Sequence, residues 1–118
     1  MTNDGRRHPR VSVDVRGVLR RDIDPNFSDM MMSNLSLGGC FIKTSAPEPP
    51  GSVVMLRFSL PGDDQTATIT AVGKVCWVKE GGEGSLGMGV QFVSVDDDDR
   101  VTLVQYISGM LADGMFDL

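Results

Sequence analysis

Apolar and polar side chains alternate near the head of the chain, Val11-Ser12-Val13-Asp14-Val15, over the first half of a segment running to about Arg20. A period of two places one set of side chains on each face of an extended backbone, which predicts a half-buried strand. Asp22 to Asp29, with Pro25 and Asn26, has the composition of a turn. A second strand is expected from about Met30 to Ser36 and a third from Cys40 to Thr44, the two joined by the Gly38-Gly39 bend. In that second strand Asn34 and Ser36 share one face, and Leu35 and Leu37 face the core on the other. Ala46-Pro47-Glu48-Pro49-Pro50-Gly51 is loop chemistry.

Val53 to Leu60 predicts a fourth strand with Val54, Leu56, Phe58 and Leu60 on one side. Pro61-Gly62-Asp63-Asp64 is a tight reversal. A fifth strand, Ala67 to Lys79, sets Ile69, Ala71, Val75 and Trp77 against Thr66, Thr68, Thr70 and Lys74. Gly81 to Gly87 supplies another turn, and Leu86, Met88, Val90 and Phe92 form the inward side of a sixth strand. The period then changes. Val101, Val104, Ile107 and Leu111 recur at helical spacing from Asp97 onward, and Gly114 is placed to end that helix. Asp96 to Asp99 stand at its N-terminus, where carboxylates cap free N–H groups and complement the helix dipole. Six strands joined by Gly/Pro turns predict an antiparallel barrel or sandwich followed by a helix.

The chain has 118 residues, enough for one domain with a single core, and carries no repeat or low-complexity segment. Its N-terminus is polar, without an apolar signal region, and no apolar run is long enough to span a membrane. Cys40 and Cys76 form no C-x-x-C pair and are expected to be reduced, half-buried small hydrophobes. A cytoplasmic location without membrane insertion follows as the expectation.

Charge changes the picture. The net charge is −5, yet six of the 11 Lys and Arg residues (Arg6, Arg7, Arg10, Arg16, Arg20, Arg21) fall in the first 21 positions. A globally acidic protein does not hold a nucleic-acid polymer through bulk charge. A basic arm on an acidic body fits a small, multiply charged anion.

Enzyme readings find no support. The single histidine, His8, lies in the expected arm, away from any nucleophile, and one histidine with two unpaired cysteines makes no His/Cys metal site. There is no P-loop or strand–GxGxxG–helix unit, and Gly81-Gly82-Glu83-Gly84 reads as a hairpin loop. Asp63-Asp64 reads as a solvated turn, and the adjacent acids of Asp96 to Asp99 cannot all converge on one cation. Neither a metal nor a cofactor is expected.

Two short motifs remain. Arg6-Arg7-His8-Pro9-Arg10 places two guanidinium groups four residues apart around a proline that disfavours helix. Guanidinium forks pair bidentately with phosphate oxygens and with the O6/N7 edge of guanine. Asn34-Leu35-Ser36-Leu37-Gly38-Gly39 adds an amide, a hydroxyl and a backbone open to close approach. Together they suit a ligand with phosphates and purine edges.

These residues resemble the PilZ domain family, a bacterial receptor module for cyclic di-GMP. The family's R-x-x-x-R is matched by Arg6 to Arg10, with Arg7 as the frequent doubled arginine, and its [D/N]-x-S-x-x-G by Asn34 to Gly39, continued by Cys40-Phe41-Ile42. Gly73-Lys74-Val75-Cys76-Trp77-Val78 and Gly87-Met88-Gly89-Val90-Gln91-Phe92 are similar to its later strands, so the resemblance covers about residues 6–112. It implies a six-stranded antiparallel β-barrel with a C-terminal α-helix over residues 11–113, preceded by a flexible arm, residues 1–10, that folds over the ligand. It also implies that Arg6 and Arg10 clamp phosphates and guanine edges with Arg7 in support. Asn34 and Ser36 would then bond a guanine or nearby backbone, while Gly38 and Gly39 form the bend, Gly39 leaving room for the ligand.

The function implied is that of a non-enzymatic cyclic di-GMP receptor. With no output domain in the sequence, it would relay the signal through an effector protein controlling motility, pili, exopolysaccharide or virulence, as monomer or homodimer. Trp77 and Met30-Met31-Met32 are read as core or barrel-wall residues. Two alternatives stand beside this: a ligand-independent adaptor in type IV pilus or motility assembly, and a small barrel for single-stranded nucleic acid. Against the latter stand the negative charge and only seven aromatics: five Phe, one Trp and one Tyr.

Overall fold

The computed structural model describes residues 9–61, 66–80 and 86–114. Six strands, β1 (Val11–Arg21), β2 (Ser28–Leu35), β3 (Gly39–Lys43), β4 (Val53–Leu60), β5 (Ala67–Lys79) and β6 (Gly87–Val95), precede one helix, α1 (Asp97–Ala112). All strand pairs are antiparallel, and the order β1-β2-β3-β6-β5-β4 closes through β4 back onto β1. The barrel predicted by resemblance is therefore observed, and the sandwich left open by periodicity is not. The closing contact with β4 involves Gly17–Arg21, the second half of β1.

The alternation explains the interior. Val54, Leu56, Phe58 and Leu60 of β4 are all buried, as their spacing requires. In β2 the buried set is Met30, Met32 and Leu35, a spacing of two and then three. A register shift against β3 between Met32 and Asn34 inserts Ser33 and keeps Leu35 pointing inward.

A similar irregularity corrects the reading of β5. The pairing with β6 shifts between Val75 and Trp77, so Trp77 leaves the inward set of Ile69, Ala71 and Val75. It stands on the outer wall, stacked on Phe41 with ring centroids 5.3 Å apart and planes at 25°. The indole covers Gly89 of β6, where a side chain would collide with it. Trp77 is thus a wall residue.

The helix also departs from expectation. Leu103 and Ile107 are buried against the barrel, with Tyr106, Met110 and Leu111 half-buried around them. Val101 and Val104 face solvent. The helix is turned away from the predicted stripe by a tether: the Asp99 carboxylate accepts the Thr70 backbone N–H of β5 at 3.1 Å. Asp99, Leu103 and Ile107 are four residues apart in turn and share one face, so the tether and the larger side chains bury the same side. Nor does Asp96 cap the helix with its side chain; its backbone carbonyl accepts the Arg100 N–H at 2.8 Å. Asp97, Asp98 and Asp99 occupy the first turn, where the dipole favours them. Gly114, at φ 79°, ends the helix as expected.

The two cysteines, expected to be alike and half-buried, differ. Cys40 is buried and Cys76 exposed, both as free thiols. Burial pushes the Cys40 thiol well above its ordinary value of 9.0. Below that value both folded and unfolded chains keep the proton, and Cys40 adds no pH dependence. Above it only the unfolded thiol ionises, so stability falls by about 1.4 kcal/mol per pH unit. Denaturant unfolding between neutral and strongly alkaline pH should show this fall, and Cys40→Val should lessen it, leaving the part due to Tyr106, whose phenol is also pushed up by burial.

Candidate functional site

The strand pairing assembles the two motifs. Val11 at the start of β1 is the partner of Leu35 at the end of β2, and Ser12 is the partner of Asn34. Because the strands are antiparallel, Arg10, one residue before Val11, is carried to the side of Ser36, one residue after Leu35. Arg10 is half-buried there. Arg10, the last residue of the arginine motif, thus comes to the same rim of the barrel as the Asn-x-Ser motif, more than twenty residues away in sequence. Arg6 and Arg7 lie outside the described residues, as do His8, Asp63, Asp64 and Gly81 to Gly84.

The turn from Ser36 to Gly39 is held by its own polar groups. The Ser36 hydroxyl accepts the N–H groups of Gly38 at 3.1 Å and Gly39 at 3.2 Å, and it donates to the Gly39 carbonyl at 3.3 Å. The Ser36 N–H also donates to that carbonyl, at 2.8 Å, and the Gly38 carbonyl accepts the Phe92 N–H of β6 at 2.8 Å. The strand was expected to carry Ser36 outward beside Asn34. It ends at Leu35 instead, and Ser36 is 5% exposed with its hydroxyl turned into the bend. Side-chain bonding within the turn wins because two backbone N–H groups there lack ladder partners. Ser36→Ala would orphan both and is expected to cost about 1–3 kcal/mol in chemical denaturation.

The glycines form the expected bend without left-handed backbone. Among the described residues only Gly51 and Gly114 have positive φ, so neither Gly38 nor Gly39 uses the left-handed region. Gly39 is needed for close approach: a Cβ there would run into the Val90 backbone carbonyl of β6. Its bare Cα lets β3 and β6 pair while the turn stays seated on Phe92.

Asn34, half-buried, alternates with the inward Leu35 and so faces outward. Successive partners across the sheet, Ser12, Asn34, Phe41, Gly89 and Trp77, form one outer row. The stacked Phe41–Trp77 pair is therefore on the same wall as the Asn34 amide. A second row joins Gly39 to Gln91 and Lys74, both exposed. Sequence reasoning left these four side chains out of the site. Gln91 and Lys74 could have been found as polar positions in the outward phase of their strands. The irregularity that turns Trp77 outward leaves no local signature.

Among the described residues no cluster of three or more His, Cys, Asp or Glu could hold a metal ion. The same residues contain no helix long and apolar enough to cross a membrane. The rim offers an arginine, an amide, backbone N–H and C=O groups and an aromatic wall, which is the equipment of a binding site.

Known proteins resemble this chain most clearly in fold. The "Inhibitor of motility (MotI/DgrA)" of Bacillus subtilis superposes with a TM-score of 0.80 at 15% identity, covering 96% of this chain and 53% of that one. This chain therefore spans about half the length of MotI/DgrA. The "PilZ domain with c-di-GMP of YcgR" from Escherichia coli gives 0.68 at 15% identity, covering 94% of this chain and 95% of the other. The PlzA protein of Borreliella burgdorferi, solved in complex with c-di-GMP, gives 0.56 at 16% identity over 84% of this chain and 39% of that one. No protein of curated function shows a significant sequence match. The family profile described as "PilZ domain" matches residues 4–109, nearly the whole chain. With the closed barrel and its C-terminal helix, that match establishes that the chain belongs to the PilZ domain family.

Proposed function

We propose that this chain is a non-enzymatic receptor for cyclic di-GMP, binding it with Arg6, Arg7, Arg10, Asn34, Ser36, Gly38 and Gly39. The observation that carries the reading is the β1–β2 register, in which Val11, the neighbour of Arg10, is the partner of Leu35 at the head of the Ser36–Gly39 turn. Two PilZ-fold neighbours, from YcgR and PlzA, were solved with this nucleotide. Arg10 pairs with a phosphate or a guanine edge, and Arg6 and Arg7 close over the ligand as residues 1–10 fold onto the rim. Asn34 supplies the directional amide. Ser36 acts through the backbone by fixing the turn. The Phe41–Trp77 wall gives a purine a flat apolar surface beside Asn34.

Ligand-driven closure of the arm changes the surface seen by an effector protein, through which the signal leaves. The fold neighbour named inhibitor of motility favours motility among the outputs considered. The reading carries a cytoplasmic location with it. The competing reading is a ligand-independent adaptor, and one observation favours it: the Ser36 hydroxyl is already fully engaged within its own turn.

Calorimetric titration with cyclic di-GMP separates the two. The receptor reading expects a dissociation constant on the order of micromolar or tighter, weakened about 100-fold by Arg10→Ala through loss of a charge-assisted pair. No binding heat from folded protein would leave the adaptor.

A further inference from the structure

At the far end of β1 from the candidate site, about 30 Å of strand away, the chain presents a second chemical surface. β1 ends at Arg21 and β2 begins at Ser28, and the loop between them is braced. The Asp22 N–H donates to the Val53 carbonyl of β4, and the Asp24 N–H to the Arg21 carbonyl, each at 3.1 Å. The Asp24 carboxylate accepts the Asn26 N–H at 2.9 Å. On this held loop Ile23 is 83% exposed and Phe27 is 44% exposed. Two guanidinium groups, Arg20 from β1 and Arg57 from β4, each stand 5.7 Å from the centroid of the Phe27 ring. They are diagonal neighbours on the outer face, since Val18 pairs with Arg57 and Arg20 with Met55.

The ring thus gathers two like charges beside exposed apolar surface on a protein of net charge −5. Arg, Phe and Ile held in place and open to solvent are the makings of an interface centre, and a braced loop loses little further freedom on docking. We propose that the Ile23–Phe27 loop with Arg20 and Arg57 is a docking surface for an acidic, apolar segment of a partner protein, carboxylates meeting the guanidinium groups and apolar side chains meeting Ile23 and Phe27. The partner is a protein rather than an anionic membrane or nucleic acid because Asp22, Asp24 and Asp29 share this end of the hairpin. Those carboxylates repel a uniformly negative surface, whereas a protein segment can match both signs in register. The surface does not depend on the receptor reading, being at the opposite end of β1.

Three labelled peptides with a common set of leucines and one flanking lysine to meet the Asp side chains, and either Glu, Gln or Lys at the remaining positions, test the surface by fluorescence anisotropy, with the Ile23 methyl signal followed by NMR. The Glu peptide is expected to bind at least about tenfold tighter than the other two. Ile23→Ser, Phe27→Ser and Arg57→Gln should each weaken it, with amide spectra confirming the fold and the calorimetric response to cyclic di-GMP unchanged. Equal binding of the three peptides, Glu-peptide binding indifferent to these changes, or no binding by any peptide would overturn the proposal. So would a shift of the Ile23 signal on adding phosphatidylglycerol vesicles or oligo-dT. Self-association abolished by Phe27→Ser would assign the surface to a second copy of the chain and overturn it equally.

Discussion

Leu103→Ala should lower the free energy of unfolding by about 2–5 kcal/mol, the range for truncating a buried leucine into a cavity. Leu103 is fully buried on the face of α1 that meets the barrel, one turn beyond the Asp99 tether to Thr70. Loss of its side chain removes the apolar contact nearest the tether, so the helix should also exchange its amide hydrogens faster than the strands do. Val104→Ala is the control. Its side chain faces solvent, and the change should stay within about 0.5 kcal/mol. The predicted stripe of Val101, Val104, Ile107 and Leu111 gives the reverse ranking, so a pair of urea melts decides between the two faces. Equal effects of the two substitutions would contradict the packing described.

Gly39→Ala is expected to cost about 3 kcal/mol, at the upper end for forcing extra volume into close packing. The added Cβ meets the Val90 backbone carbonyl, and backbone cannot swing aside as a flexible side chain can. Relief requires β3 to move from β6, which also lifts the turn from its bond to the Phe92 N–H. Affinity for the nucleotide should therefore fall together with stability. Gly109→Ala provides the opposite sign. Gly109 lies inside α1 with open space where a Cβ would stand, so alanine should stabilise by about 0.5–1 kcal/mol through helix propensity. An indifferent Gly39→Ala would show that β3 and β6 are not as close as described.

Much of this architecture was legible in the residue order because it depends on local period. Val53–Leu60 was readable at both ends, since uninterrupted alternation meets turn residues there, and Ala67–Lys79 ends likewise at turn residues although its alternation breaks before Trp77. The nearness of Arg10 to Ser36 came from the motif resemblance, and its physical cause is the β1–β2 register, a long-range fact that no local pattern records. The errors have separate causes. One irregular pairing reverses which face a side chain joins, and this turned Trp77 outward. Ile107 and Leu111 of the helix stripe do pack on the barrel, but Val101 and Val104 do not, because several apolar residues around α1 compete for burial and a tether from Asp99 to the sheet favours the Leu103 side. Ser36 bonds nearby backbone, one of the two partners expected of it, but its outward facing was misread: a hydroxyl beside two unpaired N–H groups turns into the bend to reach them. Residues 1–8 of the arm fall outside the described part of the chain, so the roles of Arg6 and Arg7 belong to the proposal.

The most direct test of the receptor claim is to follow backbone amide resonances while cyclic di-GMP is added. Shifts should concentrate at Arg10, Val11, Asn34 to Gly39 and Gln91, which meet at one rim, and should spare Ile23 to Phe27 at the other end of β1. A spectrum that does not change at millimolar ligand, or changes centred away from that rim, would contradict the account.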